Sequence, residues 1–233
     1  MLRNLSISQK LYGVLILLTL CIGTLGAVEW VVLEQVSAIN DEAKEALAHV
    51  NMLSSLEVAH LSWALELSQS LSLQQPFQGE LDPTRCSLGT WYVDFVESPE
   101  FEDFSIELQE AYLALARPHA NLHRSAQIIT RLLESQNYAP ATWGQAITIY
   151  EETTIHDLQA VRAELNNIMG MVESIATDLE VDAEQTALNS RFVSTAVIGL
   201  SLIIAIFFGG LTVRSVCRSL KRTVTLVHDL GEG

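Results

Sequence analysis

The sequence predicts an all-α protein, an antiparallel helical bundle held between two membrane-crossing helices. Three observations lead there. Two uninterrupted apolar runs stand near the ends, at residues 11–28 and 192–213. Between them apolar residues recur at intervals of three and four, the period of a helix with one buried face. Nothing in that middle section reads as a strand or as an internal repeat.

The first run has eighteen residues without a charge and the second twenty-two. About 20 apolar residues cross a bilayer core as a helix, because every backbone polar group must be satisfied within the segment. Spans are therefore expected at residues 11–32 and 192–213. Arg3 and Lys10 ahead of an apolar core, with small residues at Gly23, Gly26 and Ala27, also fit a cleaved signal peptide. The run is long for that, and helical periodicity continues beyond it, so a retained anchor is the reading. Arg3 and Lys10 precede the first span; Arg214, Arg218, Lys221 and Arg222 follow the second. The positive-inside rule then puts residues 1–10 and 214–233 in the cytoplasm and residues 33–190 outside it.

Charge divides the same way. Of 28 acidic residues, 26 lie from Glu29 to Glu184, against six Lys or Arg, a formal charge of about −20. Such a surface excludes nucleic acid as a partner and disfavours anionic headgroups. It fits a soluble ectodomain standing away from the bilayer. Cys21 lies in the first span and Cys217 just past the second, which leaves Cys86 alone in the outer section. A lone thiol there cannot form an intramolecular disulfide, and metal ligation is one reason to keep it.

Along the chain, a long helix is expected to run to about Leu73. Val32, Ile39, Ala46, Leu53, His60 and Leu67 recur every seven residues, with Val36, Ala43, Val50, Ala64 and Leu71 four further on. His60 takes a place where a leucine would stand, so it points inward. Residues 74–85, with Pro76, Gly79 and Pro83, read as a loop. A short helical piece follows at 91–96. Ser98 and Pro99 then open a helix to about Ser135 that carries Tyr112, Leu115, His119, Leu122, His123, Ala126, Ile129 and Leu133 on one face. After a turn at 137–140 a last helix begins near Thr142. Its heptads are Leu158, Leu165, Val172 and Leu179, interleaved with Val161, Ile168 and Ile175.

Chemistry gathers around "CSLGTWY", residues 86–92. His119 and His123, four apart on a helix, hold their imidazoles about 6 Å apart on one face, a spacing that suits two ligands of one ion. His60 faces inward from the neighbouring helix, and Cys86 ends a loop able to fold over the site. Three imidazoles and a thiolate make a tetrahedral zinc site. Gly89 lets the backbone turn closely, and Trp91 and Trp63 can wall the site. Singly, an inward histidine is ordinarily a core residue and a lone cysteine a small hydrophobe. Their combination is what argues for a metal. Copper stays open on ligand type. His49 is read as a core residue or at most a substitute ligand, and His156 and His228 as solvated. No HExxH, nucleophile elbow or phosphate loop is present, and an enzyme is not expected.

"HLSW" at 60–63, "CSLGTW" at 86–91 and "PHANLHRSA" at 118–126 together resemble the chemoreceptor zinc-binding domain, a four-helix module of bacterial signalling proteins. The resemblance covers residues 58–133. It implies His60, Cys86, His119 and His123 as zinc ligands, with Trp63, Gly89 and Trp91 as framework. Familiar members carry the module in the cytoplasm; here it stands between two spans. The tail "RSVCRSLKRTVTLVHDLGEG" is similar to the first helix of a HAMP linker, with Leu220 and Val224 as core positions, although the usual proline near Ser219 is missing. The same arginines also fit a plain basic stop. The expectation is a chemotaxis-type receptor of the bacterial inner membrane, a homodimer with a periplasmic sensor domain, whose cytoplasmic signalling module follows beyond the sequence. Zinc occupancy or Cys86 oxidation would shift the helices. The alternative is zinc as a structural staple in a domain that senses a small ligand or a partner protein.

Overall fold

The computed structural model describes residues 7–231, which are nearly all helical, with no strand among them. Helix α1 is Ile7–Ser72, α2 Ser87–Val96, α3 Pro99–Glu102, α4 Ile106–Ser135, α5 Pro140–Ile149 and α6 Ile155–Gly231, with a π-helical turn Tyr150–Thr154 between α5 and α6. The chain divides into two compact units, one of residues 42–178 and the other of the flanking segments up to Asp41 and from Leu179.

In the flanking unit, α1 and α6 each carry an eighteen-residue window long and apolar enough to cross a membrane, with mean hydropathy 2.3 and 2.5 and no buried residue. Side chains such as Ile16, Leu20, Phe192 and Ile206 are openly exposed. Hydroxyls in these stretches turn back on their own helix: Thr19 donates to Leu15 O and Thr212 to Phe208 O, both at 2.9 Å. Ser194 donates to the Glu29 carboxylate. Val224, a candidate core position of the tail, is 68% exposed. The side chain of Leu220, the last two residues Glu232 and Gly233, and residues 1–6 lie outside the described residues.

The unit 42–178 holds the core, in two apolar clusters. The first gathers Leu53 and Leu56 of α1, Leu88 and Phe95 of α2, Phe101 of α3, Leu108, Tyr112, Leu115 and Leu122 of α4, and Val161, Leu165, Ile168 and Val172 of α6. The second joins Leu67 and Leu71 of α1, Ala126, Ile129 and Leu133 of α4, and Trp143 and Ala146 of α5. Both α1 and α4 end alike. Gln74 (φ 53°) follows α1 in the left-handed region, where Gln75 N–H reaches Ser70 O and Gln74 N–H reaches Leu71 O. Asn137 (φ 46°) follows α4, with Tyr138 N–H on Leu133 O and Asn137 N–H on Glu134 O. These paired bonds are the Schellman closure, and Pro76 and Pro140 then bar any continuation.

Four expectations need correcting. The piece expected at 91–96 begins at Ser87, because Cys86 caps it: its Sγ accepts from Gly89 N–H. The helix expected from Pro99 to Ser135 ends after one turn and restarts at Ile106. Ser105 Oγ accepts from Leu108 N–H, and the Gln109 amide closes the gap by donating to the Glu102 and Phe104 carbonyls. The last helix is interrupted by the π turn. Beyond Val172 its buried face leaves the expected register: Ile175 is 42% exposed, while Ala176, Ala183 and Ser190, seven apart, are buried. The heptad gap at Glu57 is filled by polarity, since its carboxylate takes the Arg162 Nε at 2.7 Å.

Leu165 is fully buried in the first cluster. Leu165→Ala is expected to cost about 2–5 kcal/mol, measured by denaturant unfolding of the full chain in detergent; a loss indistinguishable from zero would contradict this packing.

Candidate metal centre

The polar layer lies between the two apolar clusters. His60 sits on α1 between Leu56 of the first cluster and Leu67 of the second; His119 and His123 sit on α4 between Leu115 and Ala126. Pro118, inside α4, has no N–H to donate to the Ala114 carbonyl one turn back, and immediately precedes His119. The three histidines are 3%, 5% and 0% exposed. Cys86, at the N-terminus of α2, is partly buried.

The structure brings together all four residues that the sequence singled out as ligands. His60 Nε2 lies 3.2 Å from His119 Nε2, and Cys86 Sγ lies 3.2 Å from His119 Nε2 and 3.6 Å from His60 Nε2. One donor atom from each of the four falls within 4.8 Å of every other. Zn–N bonds of about 2.0 Å and Zn–S bonds of about 2.3 Å in a tetrahedron require donor separations of about 3.3–3.6 Å. The donor set therefore fits such an ion. His60 Nδ1 bonds Leu56 O at 3.0 Å, which fixes that nitrogen as the donor and leaves the Nε2 lone pair for a metal. Neither ring nitrogen of His123 makes a hydrogen bond of ordinary geometry, although both are buried. An orphaned pair like this marks a missing partner.

Electrostatics keep the imidazoles neutral. Burial lowers the pKa of His119 to about 3, helped by repulsion from His60 and His123. Burial and His60 lower His123 to about 4, against the raising influence of the Glu80 carbonyl and of the Glu80 and Asp82 carboxylates. His60 is also lowered, mainly by burial, against the Leu56 carbonyl. Burial raises the Cys86 thiol, opposed by the N–H groups of Gly89 and Leu88 at the start of α2.

The loop before Cys86 is a strap over this layer. Trp63 Nε1 donates to Glu80 O at 2.9 Å, and Gln127 Nε2 donates to Leu81 O at 2.8 Å. Asp82 Oδ1 accepts from the backbone and hydroxyl of Thr84. Trp63 also packs on His123, with ring centroids 4.8 Å apart. Gly89 is required by close approach: a Cβ there would lie 1.7 Å from the Pro83 carbonyl oxygen.

Trp91 is a correction. It does not wall the histidine layer but stacks on Phe95 at 4.8 Å and meets His49 edge-on at 5.8 Å. Five residues on from Cys86, it points about 140° around the helix from it. His49 is not part of the four-donor group. Its Nε2 pairs with the hydroxyl of the buried Tyr112 at 2.5 Å inside a box of Trp91, Phe95 and Phe104. Sequence reasoning missed this pair; the seven-residue offset of Tyr112 from His119, against eleven of His49 from His60, was the available signal. His156 is exposed, as expected, and the side chain of His228 lies outside the described residues.

Geometry and chemistry thus define a helical protein with a three-histidine, one-cysteine cluster able to hold a metal ion. Residues 60–130 match the model of the chemoreceptor zinc-binding domain family, a segment that begins on His60 and contains all four donors. No curated protein and no solved structure matches the chain.

Two outcomes are expected. At neutral pH the imidazoles are already neutral and the thiol is protonated, so only Cys86 must lose a proton to bind. Zinc uptake should release about one proton, and affinity should climb about tenfold per pH unit below the thiol's range; calorimetry in buffers of different ionisation enthalpy reads the number. Release of two or more would mean that a histidine binds from its charged form. Gly89→Ala must push the start of α2 off Pro83 and should weaken zinc about tenfold or more, as loss of ligand support does. Wild-type affinity in that variant would show that the close approach is not needed.

Proposed function

We propose that the chain is a transmembrane receptor of chemotaxis type whose helical-bundle sensor region binds one zinc ion through His60, Cys86, His119 and His123. The observation that carries this is the convergence of four donors, from α1, α4 and the cap of α2, within 4.8 Å of one another in a buried layer. The match over residues 60–130 supports zinc in particular. Imidazole and thiolate would also hold copper. Zinc would supply a strong cross-link among the three helices.

The wider reading is that residues 33–190 form a periplasmic antiparallel bundle, spans at 11–32 and 192–213 anchor it in a bacterial inner membrane, and both termini are cytoplasmic. The two apolar windows and the distribution of basic residues support that topology. The tail would begin a HAMP linker to a cytoplasmic signalling module, and the receptor would act as a homodimer. Because four protein donors close the coordination shell, the site is proposed to bind and not to catalyse; a catalytic zinc keeps an open position. Loss of zinc, or oxidation of Cys86 toward sulfenic acid, would remove one link and let the helices shift by a small movement of the kind that switches bundles.

A second reading, zinc as a permanent staple, is favoured by the burial of all three histidines. Metal analysis of the full chain in detergent, beside Cys86→Ala and His123→Ala, tests both. About one zinc per chain, greatly weakened in each variant, is expected from a single four-ligand site. Affinity low enough for zinc to exchange supports sensing, and a site that never empties supports the staple. A folded wild-type protein without metal affinity would refute both readings.

A further inference from the structure

The π turn Tyr150–Thr154 plays no part in the cluster described above, yet it shapes the wall beside it. Ala146, Tyr150, Thr154 and Leu158 are three successive four-residue steps, all buried or partly buried. On a helix of 3.6 residues per turn each such step rotates the face by about 40°, so three would carry Leu158 about 120° off the inner side. One wide turn absorbs the surplus residue and keeps all four facing in. In doing so it buries Thr154 completely, and its Oγ1 has no hydrogen-bond partner. A buried hydroxyl left unpaired is unfavourable unless something uses it.

Its height in the core is fixed from both sides. Tyr150 OH donates to Ala64 O at 3.2 Å, and Ile149 and Tyr150 pack on the second cluster. Leu158, one turn beyond Thr154, packs on the first. Thr154 therefore falls between the two clusters, in the layer that holds His60, His119 and His123. In that same layer both nitrogens of His123 are buried without a hydrogen bond of ordinary geometry, the Glu80 carbonyl lying near enough to act on the ring. With one of these nitrogens on a metal, the other N–H would need an acceptor, the place that Leu56 O fills for His60.

We propose that Thr154 is a positioning residue of the metal centre: its Oγ1 holds, through one buried water, the N–H of His123 that does not bind the metal. The inference rests on the zinc reading and deepens it, since it carries the centre beyond residues 60–130 to a fourth wall of the core. The rival acceptor is the Glu80 carbonyl, which already takes the Trp63 N–H at 2.9 Å.

The test is zinc affinity, by competition with a chromophoric chelator, of the full chain in detergent as wild type, Thr154→Val, Thr154→Ala and Thr154→Ser. Cobalt(II) spectra of each report the ligand geometry, and thermal melts of the metal-free forms report packing. Removing the hydroxyl as Val or Ala should weaken zinc about 10–100-fold, the usual effect of losing a ligand's supporting hydrogen bond, and alter the cobalt spectrum. The valine form should melt no lower than wild type, and Ser should restore both affinity and spectrum. Wild-type affinity in both Val and Ala would overturn the proposal and assign the role to Glu80, with the zinc site intact. Failure of the wild type itself to bind zinc is a separate result; it would remove the zinc reading and this proposal together.

Discussion

His60 Nε2 and His119 Nε2 stand 3.2 Å apart in a layer shielded from water, with Cys86 Sγ within 3.6 Å of each. Two neutral imidazoles can share one proton in a hydrogen bond, but His123, fully buried beside them, has no such partner. Burying polar groups without partners is costly, and burying them charged is more so. The depressed basicity of His119 and His123 expresses that cost. A single cation reverses the balance, because lone pairs that repel one another as a cluster become four bonds to one centre. Part of the metal's binding free energy would then go into holding α1, α2 and α4 together at this layer.

The smallest element depends most on this layer. Helix α2 has only ten residues, too few to be stable alone. Its outer end is held by Phe95 and Trp91 against the His49–Tyr112 pair, and its inner end by Leu88 in the first cluster and by Cys86 over the histidines. Gly89 lets that inner end press onto Pro83. The Cys86 sulfur has two duties, capping α2 through Gly89 N–H and facing the histidines. Backbone donors at a helix start favour the thiolate, and here they offset part of the burial that raises the thiol's pKa.

Much of this was legible in the residues because it is periodic. His60 in a leucine's place, and His119 and His123 one turn apart on an apolar face, follow from local spacing alone. What failed was what local spacing does not encode. Trp91 was placed beside the metal layer because a short helix can present either side, and only the packing of Phe95 and Tyr112 decides which. The restart at Ile106 has no glycine or proline to announce it, only a second serine in a capping position. The π turn is quieter still: "YEETT" is an ordinary helical stretch, and the surplus residue shows only when the buried positions on either side must share one face. The register was misread beyond Val172 for a related reason, since small alanines at 176 and 183 carry the buried face and count little in an apolar pattern.

Where the layer sits bears on what a metal would do there. Small zinc-dependent domains commonly lack an adequate core and unfold without the ion. Here each side of the layer has its own: fourteen buried residues in the first cluster, reaching from α1 through α6, and seven in the second. Losing the ion would leave both clusters in place and relax only the contacts of His60, Cys86, His119 and His123 between them. Helix α2, which joins the first cluster but not the second, would have the most freedom to move. A structural staple is most useful where nothing else holds the helices together. A site between two self-sufficient clusters is better suited to changing how α1, α2 and α4 meet, and that asymmetry is the physical argument for exchangeable zinc.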